Sequence, residues 1–290
     1  MEVSELIKRV RRIEIKTRNL SNNVFAGEYH SAFKGRGMSF AEVREYQVGD
    51  DVRDIDWNVT ARTSRPHIKV YEEERELTVM MLVDVSGSLK FGSEMRTQRE
   101  LVTEIVATVA FSALQNNDKV GMILFSNQVE KYIPPKKGRK HILYLIRELL
   151  DFEPQHQQTD VRQALEFLMQ VQRRHSIAFL LSDFIDTPSF HQQISIASHK
   201  HDLVAVKVFD QRMKELPNVG LMKVQDAETG ATAYVDTSSK KVREQHAKWW
   251  NDEVEKLELI FRKTKVDYTS IGTAEDYVKP LQYLFKSRHR

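Results

Sequence analysis

The chain has 290 residues, 41% of them apolar, and carries 44 basic against 41 acidic side chains for a net charge of +3. That length allows one large domain or one domain with appendages, and the near balance of charge argues against a dedicated nucleic-acid binder, which should be strongly basic on one face. No cysteine is present, which excludes disulfides, thiolate metal sites and cysteine nucleophiles, and the ten histidines form no His-Glu-x-x-His pattern.

No apolar signal region opens the chain and no run approaches the length of a membrane span, so a cytoplasmic protein is expected. Residues 1–20 read as an amphipathic helix. Val3, Leu6, Ile7, Val10, Ile13 and Ile15 fall near helical spacing, and Lys8, Arg9, Arg11, Arg12, Lys16 and Arg18 fill the rest. A docked helix with a solvated basic face accounts for this pattern; a membrane or nucleic-acid surface is the alternative.

Residues 35–76 are dense in alternating charge. Gly35-Arg-Gly37 opens the segment, followed by Phe40, Arg44, Tyr46, Gly49-Asp50-Asp51, Arg53, Ile55-Asp56-Trp57 and Ala61-Arg62. Local ion pairs and Asx turns are expected to hold it together, with Trp57 and Tyr46 as buried anchors. His67–Tyr71 reads as a strand and Glu72–Glu76 as an acidic, solvated run.

Leu77-Thr-Val-Met-Met-Leu-Val-Asp84 is a short, nearly continuous apolar run, the pattern of a strand buried on both faces of a parallel sheet. It ends in Asp84-Val-Ser86-Gly-Ser88, which sets a carboxylate and two hydroxyls at every second residue, with Asp84 expected at a solvent-facing strand end. In open α/β sheets ligands bind beyond the carboxyl ends of the strands, and a hard-oxygen set of this kind suits Mg²⁺ or Mn²⁺. Local capping of the next helix is the competing account, because Asp and Ser favour such turns for their own backbone's sake.

From Ser93 to Gln115 a broad apolar stripe predicts a buried helix. Val120–Phe125 reads as a second buried strand, and Val129–Ile133 as a short antiparallel edge strand stopped by Pro134-Pro135. Helices follow over Gly138–Asp151 and from Val161 through Val171, separated by a polar loop that carries Thr159. Ser176–Asp183 is a strand that again ends in a carboxylate, Phe190–Lys200 a helix, and Leu203–Phe209 a further strand. This alternation predicts an α/β fold, a doubly wound, mostly parallel sheet with helices on both faces.

After Asp210 the rhythm changes. A hairpin is expected around Asp226–Gly230, then a charged helix over 239–263 with Trp249, Trp250, Val254, Leu257 and Phe261 as its buried stripe, a strand over Lys265–Ser270, and a closing helix over Glu275–Lys286 interrupted by Pro280. The organisation expected is an N-terminal helix and signature segment over 1–76, the α/β domain over 77–210, and hairpin and helix additions over 211–290.

Asp84, Ser86 and Ser88 on one strand end, Thr159 before a helix and Asp183 on a later strand end together resemble the metal-ion-dependent adhesion site of von Willebrand factor type A domains. The resemblance implies that Ser86, Ser88 and Thr159 bind Mg²⁺ (or Mn²⁺), with Asp84 and Asp183 in or behind the first coordination shell; Asp186 is the backup ligand should loss of the Asp183 carboxylate not weaken binding. The segment from Phe40 to Arg62, together with Leu216–Gly220, Glu228-Thr-Gly230 and Val235–Ser238, is similar to the bacterial "domain of unknown function fifty-eight" family from about residue 30 onward. That family implies a non-enzymatic adaptor or co-chaperone for a MoxR-type AAA+ ATPase, with aerotolerance operons among its contexts. A metal-dependent hydrolase using the same site is the alternative. It would need Asp84 or Ser86 as nucleophile, and neither motif carries an activating base beside it in sequence.

Overall fold

The computed structural model describes residues 3–21, 29, 32–33, 38–73, 76–92, 96–185, 189–227 and 230–288. Gly35, Gly37, part of the acidic run (Glu74 and Arg75), Asp186, and Glu228 with Thr229 lie outside the described residues. Two compact units are distinguished, Met1–Ala32 with Thr78–Arg290, and Phe33–Leu77.

The small unit is a hairpin of β1 (Met38–Glu45) and β2 (His67–Glu73), antiparallel, with helix α2 (Trp57–Thr63) in the connection. Its charges do local work. Asp50 takes both guanidinium nitrogens of Arg44 at 2.8 Å and the Gln47 N–H at 2.8 Å, while Asp56 caps α2 by accepting from Asn58 N and Val59 N. Gly49 sits at φ +113, a backbone region that disfavours a side chain. Trp57 is not a buried anchor. As the first residue of α2 it is 70% exposed, because the Asp56 cap holds the helix start without apolar cover.

The large unit is built on a six-stranded sheet in the order β10-β7-β6-β3-β4-β5. Its strands are β3 (Thr78–Asp84), β4 (Lys119–Phe125), β5 (Val129–Lys136), β6 (Ile177–Ser182), β7 (Asp202–Phe209) and β10 (Asp267–Gly272). All neighbours pair in parallel except β4 with β5. From Val79 to Asp84 every residue of β3 is buried, as a central strand covered on both faces must be. The doubly wound, mostly parallel α/β architecture expected from the alternation is the one observed.

Helix α3 (Gln98–Gln115) starts at a capping box between Thr97 and Glu100 and buries most of its length. The N-terminal helix α1 (Val3–Leu20) packs on it and on α4 (Arg139–Asp151) through Leu6, Glu14 and Thr17. Ion pairs run both ways across these contacts: Lys16 of α1 reaches Glu104 of α3 at 2.8 Å, and Arg139 of α4 donates to Glu14 of α1 at 2.6 Å. Ile7 and Ile15, expected on the apolar stripe, are instead 60% and 58% exposed: Ile15 falls on the opposite side of the helix from Leu6 and Thr17, and Ile7 stands at the margin of the packed face beside Glu14.

Helices α5 (Val161–Val171) and α6 (His191–Lys200) complete the layers, followed by a hairpin of β8 (Leu221–Gln225) and β9 (Thr232–Asp236), helix α7 (Lys240–Thr264) and helix α8 (Val278–Ser287). Strand β5 runs through Pro134 and Pro135 rather than stopping there. It is an edge strand, and the register skips where the prolines face Gly121, so no ladder hydrogen bond is lost. Gly121 is required opposite them, because a Cβ there would lie 2.9 Å from Pro135 N and 2.8 Å from the Met80 sulfur. On α7, Trp250, Leu257 and Phe261 are buried as expected, but Trp249 is 42% exposed. Pro280 does not interrupt α8; it stands in the first turn, where its missing N–H has no helical partner to lose.

Candidate metal and partner site

Strands β3 and β6 run in parallel register, so Asp84 and Asp183 emerge at the same end of the sheet. Asp84 is fully buried, not solvent-facing. The turn after it is closed over by two segments. Gly87 N donates to Gln157 O at 2.9 Å, and the tip of the β8–β9 hairpin comes so near that a Cβ on Gly87 would lie 2.3 Å from Ala227 O. Only glycine fits between Ser86 and Ser88 with the hairpin in this position.

Both oxygens of Asp84 are engaged. Its Oδ1 accepts from Ser86 N at 2.9 Å, fixing the turn, and its Oδ2 accepts from the Ser182 hydroxyl at 2.6 Å and from the Thr159 hydroxyl at 3.4 Å. The Ser86 and Ser88 hydroxyls are 3.1 Å apart. Asp183 is also fully buried, with Oδ1 accepting from Ile185 N at 3.1 Å. Asp84, Ser86, Ser88 and Thr159 are joined by direct hydrogen bonds. Asp183 enters electrostatically: burial first, and then the Asp183 carboxylate, push the Asp84 carboxyl well above the usual carboxylate range.

Thr159 is held from both sides. Asp160 N donates to Ser126 O at 2.9 Å, and the Asp160 side chain caps α5 and grips Arg162. The preceding loop is pinned by Glu130, which accepts from His156 N at 3.0 Å and from the Ser126 hydroxyl at 2.7 Å.

Three residues at the site carry no signal in the motif spacing. Ser182 links Asp84 to β6 and also accepts from Phe184 N at 3.0 Å. Phe184 takes φ +54, a left-handed conformation uncommon for a bulky residue, and is held there by packing on Phe261 (centroids 5.5 Å apart) and Phe190. Lys207 is buried on β7, donates its ammonium to the Asp183 carbonyl, and lies 4.9 Å from the Trp250 ring. Burial pushes Lys207 down to about 8, opposed by Asp183 and Glu253. A lone lysine within the apolar run Leu203–Phe209 is the sequence feature that could have found it.

Among the described residues no group of three or more His, Asp or Glu is placed to hold a metal. The donors here are of another kind, three hydroxyls and two buried carboxylates whose mutual repulsion a dication would relieve. A set of hard oxygens with so little anionic charge fits Mg²⁺ or Mn²⁺.

Residues 42–256 match the family described as "Protein of unknown function DUF58". The chain belongs to the DUF58 family. Among its relatives is the uncharacterized protein Rv1480 of Mycobacterium tuberculosis, 31% identical over 228 residues, which span 78% of this chain and 72% of that protein. YeaD of Bacillus subtilis, also uncharacterized, is 28% identical over 109 residues, 38% of this chain and 25% of that one. Solved structures similar to this DUF58 chain include BatB from Bacteroides thetaiotaomicron (TM-score 0.48, 15% identity, 73% of this chain and 98% of that one). Another is proximal thread matrix protein 1 from the mussel byssus with a zinc-occupied MIDAS motif (TM-score 0.41, 12% identity, 74% of this chain and 47% of that one). Among the described residues of this DUF58 protein, no helix is long and apolar enough to cross a membrane.

Proposed function

We propose that this DUF58 protein is a non-enzymatic, divalent-cation-dependent protein-binding module. The observation that carries the reading is the hydrogen-bonded cluster of Asp84, Ser86, Ser88 and Thr159 with buried Asp183 at the carboxyl end of the sheet. Ser86, Ser88 and Thr159 would hold Mg²⁺ or Mn²⁺, with Asp84 and Asp183 balancing its charge. Held mainly by neutral hydroxyls, a cation there would supply Lewis acidity toward a further oxygen, and a carboxylate of a partner would meet that need.

The chain's own residues prepare this docking point. Ser182 and Ser86 N orient Asp84, Glu130 and Asp160 fix the Thr159 loop, and Lys207 tethers the backbone at Asp183. The partner class proposed is a MoxR-type AAA+ ATPase, a reading that rests on the family resemblance. Isothermal titration of the purified chain with MgCl₂ tests the metal. Saturable binding in the wild type that is lost in Asp84→Asn supports the reading, and no binding in the wild type overturns it.

A further inference from the structure

A cavity of about 350 Å³ opens directly beside the hydroxyl–carboxylate cluster, sharing Ser88 and Asp183 with it. Its walls are mostly apolar, with Gln225, Asp226 and His246 as polar members of the lining. Trp250 forms one side, buried and packed on Phe209 with ring centroids 5.7 Å apart. Met213 and Val224 contribute another, and the hairpin tip at Asp226–Ala227 covers it. At the rim stand Phe91 and Trp249, 44% and 42% exposed. Aromatic side chains left open around a cavity are the usual composition of a binding hot spot, not of a solvated face. The cavity lies toward the small end of the ~300–1,000 Å³ range of ligand pockets, enough for one large side chain next to a docked carboxylate.

We propose that this cavity is a specificity pocket for the partner's peptide. It takes a bulky apolar side chain (Leu, Met or an aromatic) lying within a few residues of the acidic one that the metal captures. The proposal rests on the metal-docking reading and deepens it. The carboxylate would be drawn to the cation held at Ser86, Ser88 and Thr159, so charge fixes which end of the motif sits at Ser88, the residue that the cluster and the cavity share. The open volume that adjoins that point, at Ser88 and Asp183, has a mostly apolar lining, which sets the chemistry of the neighbouring residue. Gly87 makes the arrangement possible. By carrying no side chain it lets Ala227 close on the metal turn, so the roof of the pocket and the metal ligands are set by one backbone contact.

The test is selection of a random peptide display library on the full chain in Mg²⁺ and in EDTA, using the wild type, Ser86→Ala, Trp249→Ala and Phe91→Ala. The rim residues are partly exposed, so their truncation leaves the core intact. The wild type is expected to enrich, only in Mg²⁺, peptides with an Asp or Glu close to a large apolar residue. Trp249→Ala and Phe91→Ala should keep the Mg²⁺-dependent acidic preference but lose the apolar one, and should bind the best wild-type peptide about tenfold more weakly. Their Mg²⁺ affinity by calorimetry should be unchanged. Enrichment of acidic residues with no apolar neighbour overturns the pocket and leaves the metal reading standing. Enrichment that persists in EDTA or in Ser86→Ala, or none at all, overturns both.

Discussion

The Ser182 hydroxyl donates to Asp84 Oδ2 over 2.6 Å, tying the ends of two neighbouring parallel strands together at the point where the candidate cation would sit. The same hydroxyl accepts from Phe184 N, so one side chain sets both the carboxylate and the backbone that carries Asp183. Ser182→Ala removes both bonds inside a buried site. It is expected to destabilise the chain by about 1–3 kcal/mol, the usual cost of leaving buried polar groups unmatched, and to weaken Mg²⁺ binding. Urea unfolding and calorimetry read the two effects separately. Wild-type metal affinity in this variant would show that Asp84 is oriented by the turn alone.

Asp84 and Asp183 are both fully buried, and each disfavours charge on the other. Asp84→Asn keeps the shape and removes one charge. Its amide nitrogen cannot accept as a carboxylate oxygen does, so relief of repulsion is offset by changed hydrogen bonds and the metal-free variant is expected to stay within about 1 kcal/mol of the wild type at pH 8. Mg²⁺ should raise the melting temperature of the wild type by mass action and leave that of the variant unmoved. A variant that still gains stability from Mg²⁺ would place the cation elsewhere.

His201 is buried, with Nδ1 3.0 Å from the Ser176 hydroxyl. Burial, aided by Lys200 and His175, lowers its pKa from 6.5 to about 4. The folded chain then refuses a proton that the unfolded chain accepts, so stability is lost as pH falls from about 6.5 toward 4. The urea midpoint should fall between pH 7 and pH 5, and His201→Gln should fall less. Equal losses in the two proteins would remove His201 as the cause.

Trp57 reads in the sequence as an isolated aromatic in a charged segment, hence an anchor. At 70% exposure it is not one, and Trp57→Ala should change stability by no more than about 0.5 kcal/mol. A larger loss by thermal or urea unfolding would contradict the exposed position.

The contrast between Trp57 and the Met80–Val83 run shows what a sequence discloses. A central parallel strand must be apolar on both faces, so Val79–Val83 announces itself without context, and with it the end where Asp84 falls. Asp183 shows as the carboxylate at the end of a second apolar run, whereas Thr159 is singled out by the resemblance to the metal-ion-dependent adhesion site and not by its loop. Trp57 misleads because its segment is held by polar caps, Asp50 on Arg44 and Asp56 on α2, and caps demand no apolar partner. Ser182 and Phe184 were illegible for a different reason. Their roles come from a hydrogen bond across strands and a positive φ held by Phe261, both products of tertiary contact. The pocket beside Ser88 joins residues from 88 to 250, and nothing local in any one segment foretells it.

The partner should bind only with a divalent cation present. Ser86 and Thr159 are buried, 0% and 3% exposed, and small, so replacing either by alanine leaves little void. What each removes is a hydroxyl, the group that a hard cation exchanges for water, whereas the supports around Thr159 come from its neighbours Asp160 and Glu130 and survive the change. The fold is therefore expected to persist in Ser86→Ala and Thr159→Ala while affinity for a MoxR-type AAA+ ATPase falls tenfold or more in Mg²⁺, approaching the wild-type value in EDTA. Biolayer interferometry with immobilised chain and soluble ATPase gives both numbers, and circular dichroism checks the fold. Equal binding in Mg²⁺ and EDTA, with both variants matching wild type, would sink metal docking. The basic face of α1, where Ile7 and Ile15 stand exposed among Lys8, Arg11 and Arg12, would then become the surface to mutate.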